Sequence, residues 1–161
     1  MTDRRESGFD TEAGYAAAID AVLAVTGQDL CAFDRDLARM ELESPARCEV
    51  LGRILASGRD SRLRVVLHDP GPLERHSPRL MKLLQHQSDR VEVRQTPKRL
   101  RHVADCFILG DARSGVVRFH AQHARGKCLI DDAEGIRPWQ ERFEELWEAA
   151  TPCLAPTRLG L

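Results

Sequence analysis

From Thr11 onward the apolar positions recur at helical spacing. Tyr15, Ile19, Val22 and Leu23 fall at i, i+4, i+7 and i+8, Thr11 stands where a side-chain oxygen can cap the first turn, and Gly27 closes the stretch. The spacing predicts an N-terminal amphipathic helix. Leu30-Cys31-Ala32-Phe33 is instead an unbroken apolar run that turns polar at Asp34-Arg35-Asp36, the pattern of a buried strand whose carboxyl end meets solvent. Ser44-Pro45 supplies a cap followed by proline at the first helical position, and Val50, Leu51, Ile54 and Leu55 form the inner face of a second helix ending at Gly58.

The alternation between strand and helix continues. Leu63-Arg64-Val65-Val66-Leu67 reads as a strand closed by His68-Asp69-Pro70-Gly71, and Ser77-Pro78 starts a third helix with Leu80, Met81, Leu83 and Leu84 turned inward. Val91-Glu92-Val93-Arg94 is a short strand ended by Thr96-Pro97. This cadence predicts right-handed crossovers and a mixed, mainly parallel sheet flanked by helices. Asp105–Leu109 and Gly115–Phe119, separated by Gly110–Ser114, suit an antiparallel hairpin. Pro138 at the first position, then Trp139, Phe143, Leu146 and Trp147, predicts a C-terminal amphipathic helix stopped by Thr151-Pro152, with both tryptophans in the core. The expected organisation is a disordered lead over 1–9, one α/β domain over 10–152 and a tail over 153–161.

Composition narrows the class. A chain of 161 residues, 42% hydrophobic and 30% charged, suits one globular domain with a single core. The longest apolar runs fall well short of the roughly 20 residues of a membrane helix, and the opening lacks the apolar block of a signal peptide, so a cytoplasmic protein without membrane association is expected. Cys31, Cys48, Cys106, Cys128 and Cys153 are odd in number, scattered and free of CxxC spacing, which predicts reduced thiols rather than disulfides or a zinc site. His120, His123 and Cys128 offer metal-ligating types close together, but a strand sends residues three apart to opposite faces; no metal or cofactor is expected. The net charge of −1 hides one basic stretch, Arg90–Ile130, which sums to +6. There is no glycine-rich phosphate loop, GxSxG elbow or dinucleotide fingerprint.

The order of elements, with the Leu30–Asp36, Leu63–Asp69, Val91–Arg94 and His102–Asp111 segments and the Phe143-Glu144-Glu145-Leu146-Trp147-Glu148 helix, resembles one half of a phospholipase D-like fold over roughly Thr11 to Thr151. More narrowly it is similar to a bacterial group of stand-alone or acetyltransferase-linked domains of that superfamily. The resemblance implies catalysis by His-x-Lys followed after four residues by Asp, the His attacking a phosphodiester and the Lys gripping its oxygens. Here the nearest counterpart starts at His102, with Ala104 at the Lys position and Leu109 at the Asp position; carboxylates stand instead at Asp105 and Asp111. Arg125-Gly126-Lys127 restores nothing. Without a cation to hold the oxyanion and a partner to orient the imidazole, His102 is a weak nucleophile, and His102 and Asp105 are vestigial candidates.

Position along the strands supplies the rest of the site. Asp34, His68 and Asp69 lie at the carboxyl ends of two expected parallel strands, where ligands of open α/β sheets bind. Arg94, Arg101, Arg118 and His120, from the basic stretch, are the expected anion-binding side chains, and alternation places Arg118 and His120 on the face opposite Val117 and Phe119. The expected function is therefore a non-catalytic accessory or regulatory module that binds a phosphate-bearing small molecule or, weakly, nucleic acid. The alternative is an active hydrolase or phosphotransferase using His102 or His68 with Asp105 or Asp69. Because the resembled enzymes set two halves side by side, a homodimer is expected to supply the missing half.

Overall fold

Side-chain alternation along the central strands decides the architecture. A computed structural model describes residues 4–154. In β2 (Asp29–Asp34), Leu30 and Ala32 enter one core while Cys31 and Phe33 enter another on the opposite face. β3 (Arg62–Leu67), β4 (Val91–Gln95), β5 (Cys106–Gly110) and β6 (Ser114–His120) continue the same sheet. A strand buried on both faces favours apolar residues at successive positions, which is why Leu30–Phe33 and Phe107–Leu109 read as unbroken runs. The first core is closed by α1 (Glu12–Val25), α2 (Pro45–Leu55), α3 (Gly71–His76) and α4 (Pro78–His86), and the second by α5 (Ala133–Ala149).

Among the described residues the sheet has eight strands in the order β1-β7-β6-β5-β2-β3-β4-β8, with β1 at Arg5–Phe9, β7 at His123–Ile130 and β8 at Thr151–Cys153. It is mixed, but not mainly parallel. Only β2 with β3 and β3 with β4 pair in parallel; the other pairings are antiparallel, those of β5 with β6 and β6 with β7 because the connecting turns are too short for a crossover.

Three local expectations change, and one strand is added. Arg5–Phe9 is not a disordered lead: it pairs with β7 from Arg5 opposite Ile130 to Phe9 opposite Gly126. Gly126 is required there, since a Cβ would stand 1.9 Å from the Val117 carbonyl oxygen and 2.7 Å from the Phe9 ring. Residues 1–3 of that lead, and the expected tail from residue 155 on, lie outside the described residues. β7 has no clean alternation, because Arg125, Gly126 and Lys127 interrupt it, and its strand state comes from β1 and β6 on either side. β8, Thr151-Pro152-Cys153, is a pairing strand as well as a helix stop, and its proline is tolerated at a sheet edge. Finally, α5 starts five residues before Pro138, where Asp132 caps it by accepting from the Gly135 N–H at 3.0 Å.

Candidate functional site

The parallel register of β2 and β3 brings Asp34 and His68 to one end of the sheet. The antiparallel pairing of β5 with β2 sets Phe107 opposite Phe33, so the segment entering β5, Arg101–Asp105, arrives at the same end. The tip of the β6–β7 hairpin closes the third side, held by an Ala121 N–H to Ala104 carbonyl bond of 2.7 Å. These walls enclose a cavity of about 450 Å³ whose charged and titratable lining is Asp34, Arg35, Asp36, Arg39, His68, Arg101, His102, Asp105 and His120. Of the expected site residues, six converge here: Asp34, His68, Arg101, His102, Asp105 and His120.

His68 is a structural tie. Its Nε2 donates to the Val103 carbonyl at 2.7 Å, its Nδ1 lies 2.7 Å from the Thr96 hydroxyl, and its ring packs edge-on against Phe33. A carbonyl oxygen only accepts, so the Nε2 hydrogen is fixed there and the ring holds the Arg101–Asp105 wall in place. Asp69 folds back on its own turn, accepting from the Gly71 N–H at 3.0 Å, and does not line the cavity. Asp105 is gripped by Arg142 of α5 through bonds of 3.1 and 2.7 Å. His120 accepts the Gln122 N–H on Nδ1 at 3.1 Å and faces His123 across the hairpin. Among the described residues no histidine hydrogen-bonds a carboxylate, so the His/Asp pair of the hydrolase alternative is not assembled, and no group of three His, Cys, Asp or Glu side chains could hold a metal. Asp111 sits at the opposite end of β5, accepting from the Gly27, Gln28 and Asp29 N–H groups.

Two expected anion-binding residues lie elsewhere. Arg118 is fully buried under α1, with Nη1 and Nη2 each 2.9 Å from a Glu12 carboxylate oxygen and the guanidinium 4.7 Å from the Tyr15 ring centroid. Alternation set its face correctly, but a helix covers that face. Arg94 lies 4.0 Å over the Trp147 ring, bonded to Glu92 and to the Trp147 carbonyl. The basic stretch therefore does not form one surface: Arg90 donates to the Leu55 carbonyl and Arg113 pairs with Asp131, both away from the cavity.

What the cavity holds instead is Arg35, Arg39 and Arg101, none ion-paired among the described residues. Arg39 donates to the Ala121 carbonyl and Arg101 to the Thr96 carbonyl at 3.3 Å, so two of the three are positioned by neutral acceptors, while the Arg39 charge also acts on the Glu12 carboxyl. Arg35 and Arg39 were not among the expected residues. The available signal was their place at the polar end of β2, one and five residues beyond Asp34. Asp34 is 4% exposed, and burial holds its carboxyl above the usual carboxylate range despite an N–H bond from Leu37 at 2.7 Å.

Three known structures share this fold. The archaeal chromatin protein TrmBL2, whose structure is described as showing a novel mode of DNA binding, matches with a TM-score of 0.66 at 14% identity, over 92% of this chain and 54% of that one. This chain thus spans about half the length of that protein. Nuc of Salmonella typhimurium, a phospholipase D family member, matches with a TM-score of 0.64 at 11% identity over 94% of this chain and 99% of that one. NucT from Helicobacter pylori gives 0.58 at 9% identity, over 94% and 100%. At these identities the likeness is one of fold, and the fold is phospholipase D-like. No curated protein matches the chain in sequence. The model of a family described as "Domain of unknown function (DUF7931)" matches residues 11–159.

Proposed function

The chain belongs to the DUF7931 family, and we propose that this member is a non-catalytic phospholipase D-like module that binds a phosphate-bearing ligand in the cavity at the carboxyl ends of β2 and β3. The observation that carries the reading is the set of three guanidinium groups, Arg35, Arg39 and Arg101, around one cavity, none of them in an ion pair with a carboxylate among the described residues. Planar, permanently charged donors of that kind suit phosphate oxygens. The reading of a degenerate motif rests on Ala104 and Leu109, which bring neither a cation nor a carboxylate to His102. Five free thiols support a reducing, cytoplasmic setting. A homodimer would place two such cavities side by side and supply the second half that the resembled enzymes use.

Titration of a short oligonucleotide and of a phosphorylated small molecule at low salt tests the reading and separates the two ligand classes. Micromolar or weaker binding is expected, with log K falling as log salt rises and the slope decreasing by about 0.7–0.9 for each phosphate contact removed. Arg39→Ala and Arg101→Ala should each weaken it. No binding at low salt, or binding indifferent to both substitutions, overturns the proposal.

A further inference from the structure

The floor of the cavity carries a group that opposes its walls. Asp34, the last residue of β2, is 4% exposed and has no cationic partner among the described residues. Its Oδ2 accepts from the Leu37 N–H at 2.7 Å and the Asp36 N–H at 3.4 Å, both neutral donors. An anion bound by the three arginines would bring a second negative charge into the same 450 Å³. In a partly dehydrated space that repulsion is large, and the inexpensive way out is to neutralise one of the two.

Among the described residues no neighbouring element pairs a positive charge with Asp34. From α1 comes the Tyr15 phenol, and from β5 the Cys106 thiol, itself pushed up by burial and by the Asp34 charge. Arg118 of β6 has both Nη atoms on Glu12. At the end of β3, His68 has both ring nitrogens engaged by Thr96 and Val103. Asp36, next along the chain, adds a like charge. On the walls stand His102 and His120, and Asp105 is balanced by Arg142. With Asp34 ionised, Arg35, Arg39 and Arg101 face Asp34 and Asp36; with it neutral, they face Asp36 alone.

We propose that the cavity takes up its phosphate-bearing ligand together with one proton, drawn from solvent and held on the Asp34 carboxyl, so that affinity rises as pH falls. This rests on the cavity being an anion site. The proton adds one O–H bond on Asp34, releases nothing else, and replaces a repelling oxygen with a hydrogen-bond donor. By linkage, the limiting slope is a tenfold gain in affinity for each pH unit lowered while the free carboxyl is ionised and the bound one is not.

The test is calorimetric titration of the full chain with a dinucleoside phosphodiester, whose own charge is constant between pH 5 and 8. Runs in two buffers of different ionisation enthalpy give the number of protons taken up. The expected result is uptake approaching one proton near neutral pH, with Asp34→Asn abolishing it, flattening the pH dependence and binding more tightly than wild type at pH 8. Asn retains an oxygen for the Leu37 N–H, and an unchanged circular dichroism spectrum confirms folding. Wild-type binding without proton uptake overturns this inference alone and needs no variant. Uptake retained in Asp34→Asn assigns the proton to His102 or His120 and also overturns it. Failure of the wild type to bind at any pH removes the anion site and this inference together.

Discussion

Arg118 and Glu12 meet through two bonds of 2.9 Å, yet Arg118 is completely buried while the Glu12 side chain is 63% exposed. The pair tethers α1 to β6 at its solvent-facing end. Because the guanidinium is fully buried, its charge is met by that exposed carboxylate, by the His120 carbonyl at 3.4 Å and by the face of Tyr15.

Glu12→Gln should therefore destabilise the fold by about 1–2 kcal/mol, the low end for a partner of a buried charge because Glu12 itself is solvated. The hydrogen bonds from Arg118 hold the Glu12 carboxyl below its usual range. A lowered native value means the stabilisation is complete above the ordinary carboxylate range and is lost as pH falls through the lowered one. Urea unfolding should show wild type and variant separated at pH 7 and converging in acid, with anion affinity unaltered.

Asp34 behaves with the opposite sign. Its native carboxyl is raised by burial, so the fold is favoured by its protonation and loses stability as pH climbs through the raised value. Asp34→Asn removes that loss: thermal unfolding should show the variant more stable than wild type at pH 7–8, with the advantage fading toward pH 4.

The β5–β6 turn offers a paired test. Asp111 and Ala112 both have positive φ, 54° and 55°, a region that disfavours any side chain. Ala112→Gly should stabilise by about 0.5–1 kcal/mol. Asp111→Ala should cost about 1–3 kcal/mol, since its carboxylate serves three backbone N–H groups at the start of β2. If Asp111→Ala proves neutral in chemical unfolding, the turn does not tie β5 to β2.

Purified protein should not turn over phosphodiesters. His102 lies at the cavity with Ala104 two residues on and no histidine–carboxylate bond nearby. Assay with an activated phosphodiester should give no rate above buffer; a robust rate abolished by His102→Ala would show that the site is catalytic.

Sedimentation at micromolar concentrations tests the assembly. A species of twice 18.1 kDa is expected, and a single species at 18.1 kDa would rule out the homodimer.

Periodicity made much of this legible. The helical spacing from Tyr15 to Leu23 and from Leu80 to Leu84, the buried runs at Leu30–Phe33 and Leu63–Leu67, and the hairpin of β5 and β6 are local patterns. A chain too short to hide apolar surface elsewhere has to honour them. The strand-end positions of Asp34 and His68 followed from the same reading, and the cavity lies there. The two edge strands, and β7 beside one of them, did not show. Arg5–Phe9 exposes most of its side chains, β7 carries Arg125-Gly126-Lys127 and β8 contains Pro152, so each is a strand only because a distant backbone pairs with it. The arginines divided in the same way. Alternation determined which face of β6 Arg118 takes, but Glu12, 106 residues away, decided that the face is buried, and Trp147, 53 residues from Arg94, drew that guanidinium out of the site. A side chain's direction is set by its own backbone; what covers it is set by segments that sequence distance hides and folding brings together.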